Sequence, residues 1–250
     1  MIAISSYTPT VSSLVDRAHE KGHGSQNFLL VSQPNTPGLK AIPGTRREAQ
    51  ALVETLQKES FQTLYLDDIE ATLDKVKREM MQHPWVHLAC HAVQDTASPL
   101  QSGFHLQDGL LYLSEIMKQQ IPNADFAFLS ACQTSAGDEK LSEEAVHLAA
   151  GMLAAGYRGV VSTMWSIKDH YGPDVAEEFY SYLCAKRAKI GDGLSSADAA
   201  YALDFAIRHI REKVKDSEDG LLTWVPYVHF GQWQKLRKCR SVGRLNFFCF

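Results

Sequence analysis

The sequence predicts an α/β fold: a mostly parallel, six-stranded sheet with helices on both faces. Three observations carry that expectation. Short apolar runs (NFLLVS, FQTLYL, WVHLA, FAFLS, GVVSTM and YVHFGQW) recur along the chain. Segments with apolar residues at helical spacing lie between most of them, and the joining stretches carry Gly, Pro, Asn and Asp. Strands alternating with helices in this way make βαβ units, which place helices on both sides of one sheet. A chain of 250 residues buries one substantial core, and it holds no 34-residue or similar repeat.

Residues 1–25 read as a polar lead-in, with Val11 to Ala18 able to form a short helix. Asn27 to Ser32 is the first strand, ended by QPNTPG. Thr45 and Glu48 have the Thr-x-x-Glu form of a capping box, and Ala49, Leu52, Val53 and Leu56 follow at helical spacing to about Lys58. Phe61 to Leu66 is the second strand. A helix carrying Leu73, Val76 and Met80 stops before Pro84, and Trp85 to Ala89 is strand three.

Between Ala92 and Leu113, Pro99, Gly103 and Asp108-Gly109 predict a loop and a small hairpin turning at Asp108-Gly109. Ser114 caps a short helix through Met117, and Phe126 to Ser130 is strand four. After a polar loop, Ser142 caps a helix with Ala145, Leu148, Ala149, Met152 and Leu153, closed by Gly156. Glu143 and Glu144 favour that helix N-terminus. Strand five is Gly159 to Met164, followed by a polar loop from Trp165 to Tyr171. Pro173 opens a helix burying Val175, Phe179 and Leu183. Gly191 to Leu194 is a linker, and a long helix runs from about Ser196 to Val214. Asp216 to Gly220 reads as exposed loop, Tyr227 to Trp233 as the last strand, and 234–250 as a loosely attached tail, which leaves 26–233 as the folded domain.

Composition narrows the function classes. Apolar residues at 45% and charged residues at 22% are ordinary globular values, and a net charge of −4 with no long basic run argues against a nucleic-acid partner. The first twenty residues lack a continuous apolar stretch behind a basic flank, and no window is apolar enough to span a bilayer, so no membrane partner and a cytoplasmic location are expected. Cys90, Cys132, Cys184, Cys239 and Cys249 form no CxxC pair and no zinc-type ladder, which predicts free thiols and no metal centre.

The chemistry gathers at two strand ends. In an open parallel sheet the reacting groups sit at the carboxyl ends of the strands. Phe126 to Ser130 runs out into small and polar residues that include Cys132, and WVHLA runs out into His91. A cysteine nucleophile needs a base that favours thiolate, a donor for the leaving group and N–H groups for the oxyanion. Cys132 and His91 meet the first two needs when their strands are neighbours, and the N–H groups of Ala92 and Cys132 are then the natural oxyanion donors. Cys90 points to the opposite face from His91 and is no rival. Ser130 lacks a GxSxG setting. Asp95 caps the following turn rather than orienting His91, and His87 and His105 read as hydrogen-bonded loop histidines. Neither GxGxxG nor a Walker pattern is present, so a flavodoxin-like binding domain has no phosphate loop to support it.

In the order LACHAVQD, SPLQSGFHLQDG, LSACQT and LAAGMLAAGYRGVVSTMWSIKD, the chain resembles the CHAT domain, a caspase-like and separase-like cysteine peptidase domain of the caspase/gingipain clan. The likeness extends from about Gln26, through IPGTRREAQAL, to YVHFGQW. It implies a three-layer caspase-like sandwich, a His91 and Cys132 dyad, and cleavage of peptide bonds without a cofactor. It also implies a substrate pocket containing Asp169, since separase relatives use an acid for basic side chains, with Trp165 as a wall. Family members often have Gly after the dyad His; here Ala92 keeps the N–H with a narrower range of backbone angles. Tetratricopeptide repeats, frequent upstream in relatives, do not occur in this sequence.

Two functions follow. One is a cysteine endopeptidase acting on a protein or peptide substrate, switched on by an activating partner or a tetratricopeptide-repeat module. The other is a catalytically silent pseudopeptidase that keeps the fold as an interaction scaffold.

Overall fold

The computed structural model describes residues 6–7, 27–95, 97–133, 144–164, 172–190, 194–214 and 218–231, with backbone alone at 131–133, 144–147, 190, 218 and 219. Along β1 (Asn27–Ser32) every residue after the first is buried, as a strand covered on both faces requires. β2 (Gln62–Asp67) lies parallel on one side of it and β3 (Trp85–Val93) parallel on the other. β6 (Phe126–Gln133) pairs with β3 and β7 (Gly159–Thr163) with β6, both parallel. β8 (Tyr227–Gly231) is antiparallel to β7. The order β2-β1-β3-β6-β7-β8 makes the six-stranded path, and β4 (Gly103–Leu106) and β5 (Gly109–Tyr112) join it as an antiparallel hairpin against the outer end of β3. Tyr7 bridges to Phe230 on the free edge of β8.

Strand alternation sorts the core into two layers. On one face Leu29, Val31, Val86, Leu88, Cys90, Ala127, Leu129 and Val160 meet α2 (Leu73–Met80), α3 (Leu113–Gln119) and α4 (Glu144–Ala155). On the other, Phe28, Leu30, Trp85, Phe126, Phe128 and Val161 meet α1 (Gly44–Lys58), α5 (Gly172–Ile190) and α6 (Ala199–Lys213). The second layer is aromatic: Trp85 lies 4.7 Å from Phe126, and Phe179 stacks on Phe126 at 5.4 Å. Such pairs add about 0.5–1.5 kcal/mol beyond the area they bury.

Several elements differ from the sequence expectation. β3 runs four residues past Ala89 and β6 three past Ser130, because β4 takes over the edge that β1 leaves at Ser32 and the ladder continues. The hairpin turns at Gln107-Asp108, one residue earlier than expected, and the Asp108 carboxylate accepts the Leu73 N–H at the start of α2. Ser114 lies inside α3, whose N-terminus is closed by Glu115 accepting from the Tyr112 N–H. The 218–220 stretch, expected as loop, opens a helix, α7 (Glu218–Trp224), in which Gly220 and Thr223 are buried. The expected helix within 11–18, Ser142 as a cap, the 191–193 linker, Asp216 and the 234–250 tail lie outside the described residues. Cys90 and Cys184 are both buried.

His229 on β8 ties the edge to the start of the chain. Its Nδ1 lies 2.7 Å from Ser6 Oγ, and its Nε2 is buried with no hydrogen-bond partner among the described residues. Burial pushes the imidazole down to about 4. An unfolded chain takes up this proton near pH 6.5 and the folded chain only near 4, so falling pH drives the equilibrium toward the unfolded state between those values. Urea titrations should show up to about 3 kcal/mol of stability lost from pH 7 to pH 4, and His229→Asn should flatten that slope.

Candidate active site

Positions 91 and 132 stand level across the β3–β6 ladder, as His91↔Cys132, with Ala92↔Gln133 as the next rung. Residues level in a parallel pair share a sheet face. That face also carries His87 and Ser130, and Cys90 is on the other, packed in the opposite core layer. Both chemistry-bearing positions sit within strand ends rather than in the loops beyond them.

His91 is 6% exposed and held at one nitrogen. Nε2 lies 2.7 Å from the Lys40 carbonyl oxygen, an acceptor, so Nε2 carries the proton. Nδ1 is then the nitrogen with the lone pair, and it is buried with no hydrogen-bond partner among the described residues. Lys40 belongs to the connection between β1 and α1, which is shaped by Leu39 N–H donating to Thr36 O (3.1 Å) and Ile42 N–H to Pro34 O (2.9 Å).

Directly inward on the same face lies a set of polar groups that the sequence did not reveal. Glu48, 2% exposed, accepts from His87 Nε2 through Oε1 and from Ser130 Oγ through Oε2, both at 2.9 Å. Tyr180 OH stands 3.4 Å from His87 Nδ1, and the His87 ring stacks on Phe128 at 4.9 Å. Burial and the nearby Glu48 carboxylate hold the Tyr180 hydroxyl well above its usual pKa. The capping box expected of Thr45 and Glu48 is therefore absent: Thr45 Oγ1 donates to Ile42 O, and the Glu48 side chain turns into the core. The signal was present in the helical register, where Glu48, Leu52 and Leu56 recur every fourth residue on one buried stripe. Ser130 bonds a carboxylate and not an imidazole, which is no serine-hydrolase arrangement. His87 is a mid-strand core residue, not a loop histidine.

Residues 3–232 match the CHAT-domain family profile. The chain belongs to the CHAT-domain family. Its fold is similar to that of the Arg-specific cysteine proteinase gingipain R, with TM-score 0.55, 11% identity, and coverage of 85% of this chain and 47% of that one. It is also similar to the complex of the Porphyromonas gingivalis RgpB pro- and mature domains, with TM-score 0.50, 10% identity, and coverage of 86% and 48%. This CHAT domain thus spans about half the length of those chains, and at such identity the likeness is one of fold. No curated protein sequence matches it.

The remaining expectations fall at different places in the CHAT domain. Ala92 is a strand residue level with Phe104 on β4 and Gln133 on β6. Asp95 caps its turn, accepting from the Ser98 N–H at 2.8 Å. His105 is on β4, not in a loop; Ala92 and Phe104 pair on one face, which puts His105 on the face of His91, and burial together with His91 pushes its pKa below the ordinary value. Asp169, Trp165 and Glu143 lie outside the described residues, as do the side chains of Cys132 and Glu144. Among the described residues no His, Cys, Asp and Glu group is arranged to hold a metal, and no helix is long and apolar enough to cross a membrane.

Cys90 is fully buried, and burial beside Glu59 pushes the Cys184 thiol up to about 12. Ellman's reagent at pH 7.5, followed by peptide mapping, should leave both unmodified in the folded chain and modify both in urea.

Proposed function

We propose that this CHAT domain is a cysteine endopeptidase in which Cys132 is the nucleophile and His91 its base and acid. The observation that carries the proposal is a buried imidazole tethered at Nε2, with Nδ1 unpartnered among the described residues, one strand across from the cysteine position. With Nε2–H held by the Lys40 carbonyl, Nδ1 is the nitrogen free to accept the thiol proton. The thiolate attacks the scissile carbonyl, its electron pair forming the C–S bond as the carbonyl pair moves onto oxygen. Collapse of that intermediate expels the amine, which takes its proton from His91, and leaves a thioester. His91 then draws a proton from water, whose oxygen attacks the thioester and releases the acid and the thiol. Holding Nε2–H on a carbonyl fixes the ring plane and leaves Nδ1 as the proton-transferring nitrogen.

The N–H groups of Ala92 and Cys132 are proposed as oxyanion donors, and Asp169 and Trp165 as pocket residues selecting a basic side chain before the cut. The substrate is a protein or peptide, the setting is the cytoplasm, and an associated activating or tetratricopeptide-repeat module is the proposed trigger.

A thiol-reactive peptide probe with Lys or Arg at its reactive end tests the reading. Labelling should vanish in Cys132→Ala and fall by about 100-fold or more in His91→Ala. Failure to label the folded protein in any state, with or without a partner, would instead favour the silent scaffold.

A further inference from the structure

The buried carboxylate beneath the dyad has no part in the steps above, yet from the helix that follows Lys40 it bonds both dyad strands. We propose that Glu48 is a positioning residue: by bonding His87 on β3 and Ser130 on β6, it seats α1 on both dyad strands and so fixes the Lys40 carbonyl that holds the His91 ring. The catalytic consequence rests on the dyad reading; the geometry does not.

Lys40 lies just ahead of α1 and is covalently carried by it, so wherever the start of α1 sits, the carbonyl follows. Two sets of side-chain contacts anchor that start. At the rim, Arg46 pairs with Asp67 at 2.8 Å and Asp68 at 3.3 Å, but its side chain is 39% exposed and such pairs are screened and worth little. Inside, Glu48 makes two bonds from one carboxylate to two different strands, all three groups being 5% exposed or less. Hydrogen bonds to a carboxylate are the stronger and more directional kind, and both of these join side chains buried away from solvent. Ser130 is the same-face residue immediately inward of position 132, and His87 and His91 share the face of β3. One side chain therefore references helix, base strand and nucleophile strand to each other.

The test uses the full chain with Glu48→Ala, Glu48→Gln and Ser130→Ala, and two readouts. One is the His91 Nε2–H resonance in imidazole-nitrogen NMR, with its exchange rate. The other is the alkylation rate of Cys132 by iodoacetamide at pH 6, mapped by mass spectrometry. A Gln keeps both bonds, accepting from His87 and donating to Ser130 Oγ, so Glu48→Gln should stay within about twofold of the parent on both readouts. Glu48→Ala, while still unfolding cooperatively, should exchange the His91 proton and lose Cys132 reactivity by about tenfold or more, since a 1 Å misplacement of a reacting group costs up to about 100-fold. A folded Glu48→Ala with the parent's His91 resonance overturns the proposal, as does a Glu48→Gln as impaired as the alanine. If Glu48→Ala does not fold, Ser130→Ala decides: faster His91 exchange supports the proposal, and an unchanged resonance overturns it. Cys132 alkylation that ignores His91→Ala in the parent chain sinks the dyad reading alone, because the His91 resonance still reports on Glu48.

Discussion

Between β3 and β6, eight successive residue pairs, from Trp85 with Phe126 to Ala92 with Gln133, lie level in one parallel ladder. The pleat has a period of two, so a slip of one residue on either strand would carry its whole set of side chains to the other face. The aromatic pair at the inner end, Trp85 against Phe126, and the His87–Phe128 stack at mid-ladder both belong to the face of positions 91 and 132. Large side chains of one face cannot be accommodated among the Leu, Val and Ala of the other without overpacking it. Packing deep in the sheet thus fixes which way the outer rungs face.

The two faces also differ in polarity. One layer is mainly aliphatic, with Phe104, Tyr157 and Phe230 among its members. The other grades from aromatic at the inner end, through the Glu48–His87–Ser130 bonds, to His91 at the rim. A carboxylate taken out of water costs several kcal/mol unless its lone pairs are met, and here donors on two strands meet them. At the opposite end of the sheet, Asp125 plays a similar part, accepting from Trp85 Nε1 at 3.1 Å and Ser196 Oγ at 2.6 Å. Burial raises its pKa while these donors pull it down. The central strands are therefore pinned at mid-length and at their N-terminal ends, each time by a buried acid bonded to two partners.

The hairpin of β4 and β5 extends the site as much as it decorates the sheet. It occupies the edge of β3 that β1 vacates, and so keeps Ala92 and Val93 in extended backbone. Gly103 permits the close pairing of β4 with β5, since a Cβ there would come within 2.3 Å of the Leu111 carbonyl oxygen. His105 arrives on the face of His91 by the same pairing.

Much of this was legible in the sequence. Apolar periodicity located all six strands of the main path and most helices, because burial on one or both faces leaves a local repeat of 2 or 3.6. The strand-end cysteine and histidine were legible as residue types at turns of hydrophobicity. Three things were not. Strand length past Ala89 and Ser130 depends on a hairpin partner found elsewhere in the chain, and α7 forms where Gly220 suggested a break. Above all, Glu48 reads locally as a helix cap, and only the arrival of His87 and Ser130 from other strands turns it inward. The sequence by itself determined the period and order of the elements, which are properties of neighbouring residues. Tertiary structure alone decided which groups meet across strands, because hydrogen bonds between residues 48, 87 and 130 exist only once the sheet and helix have packed.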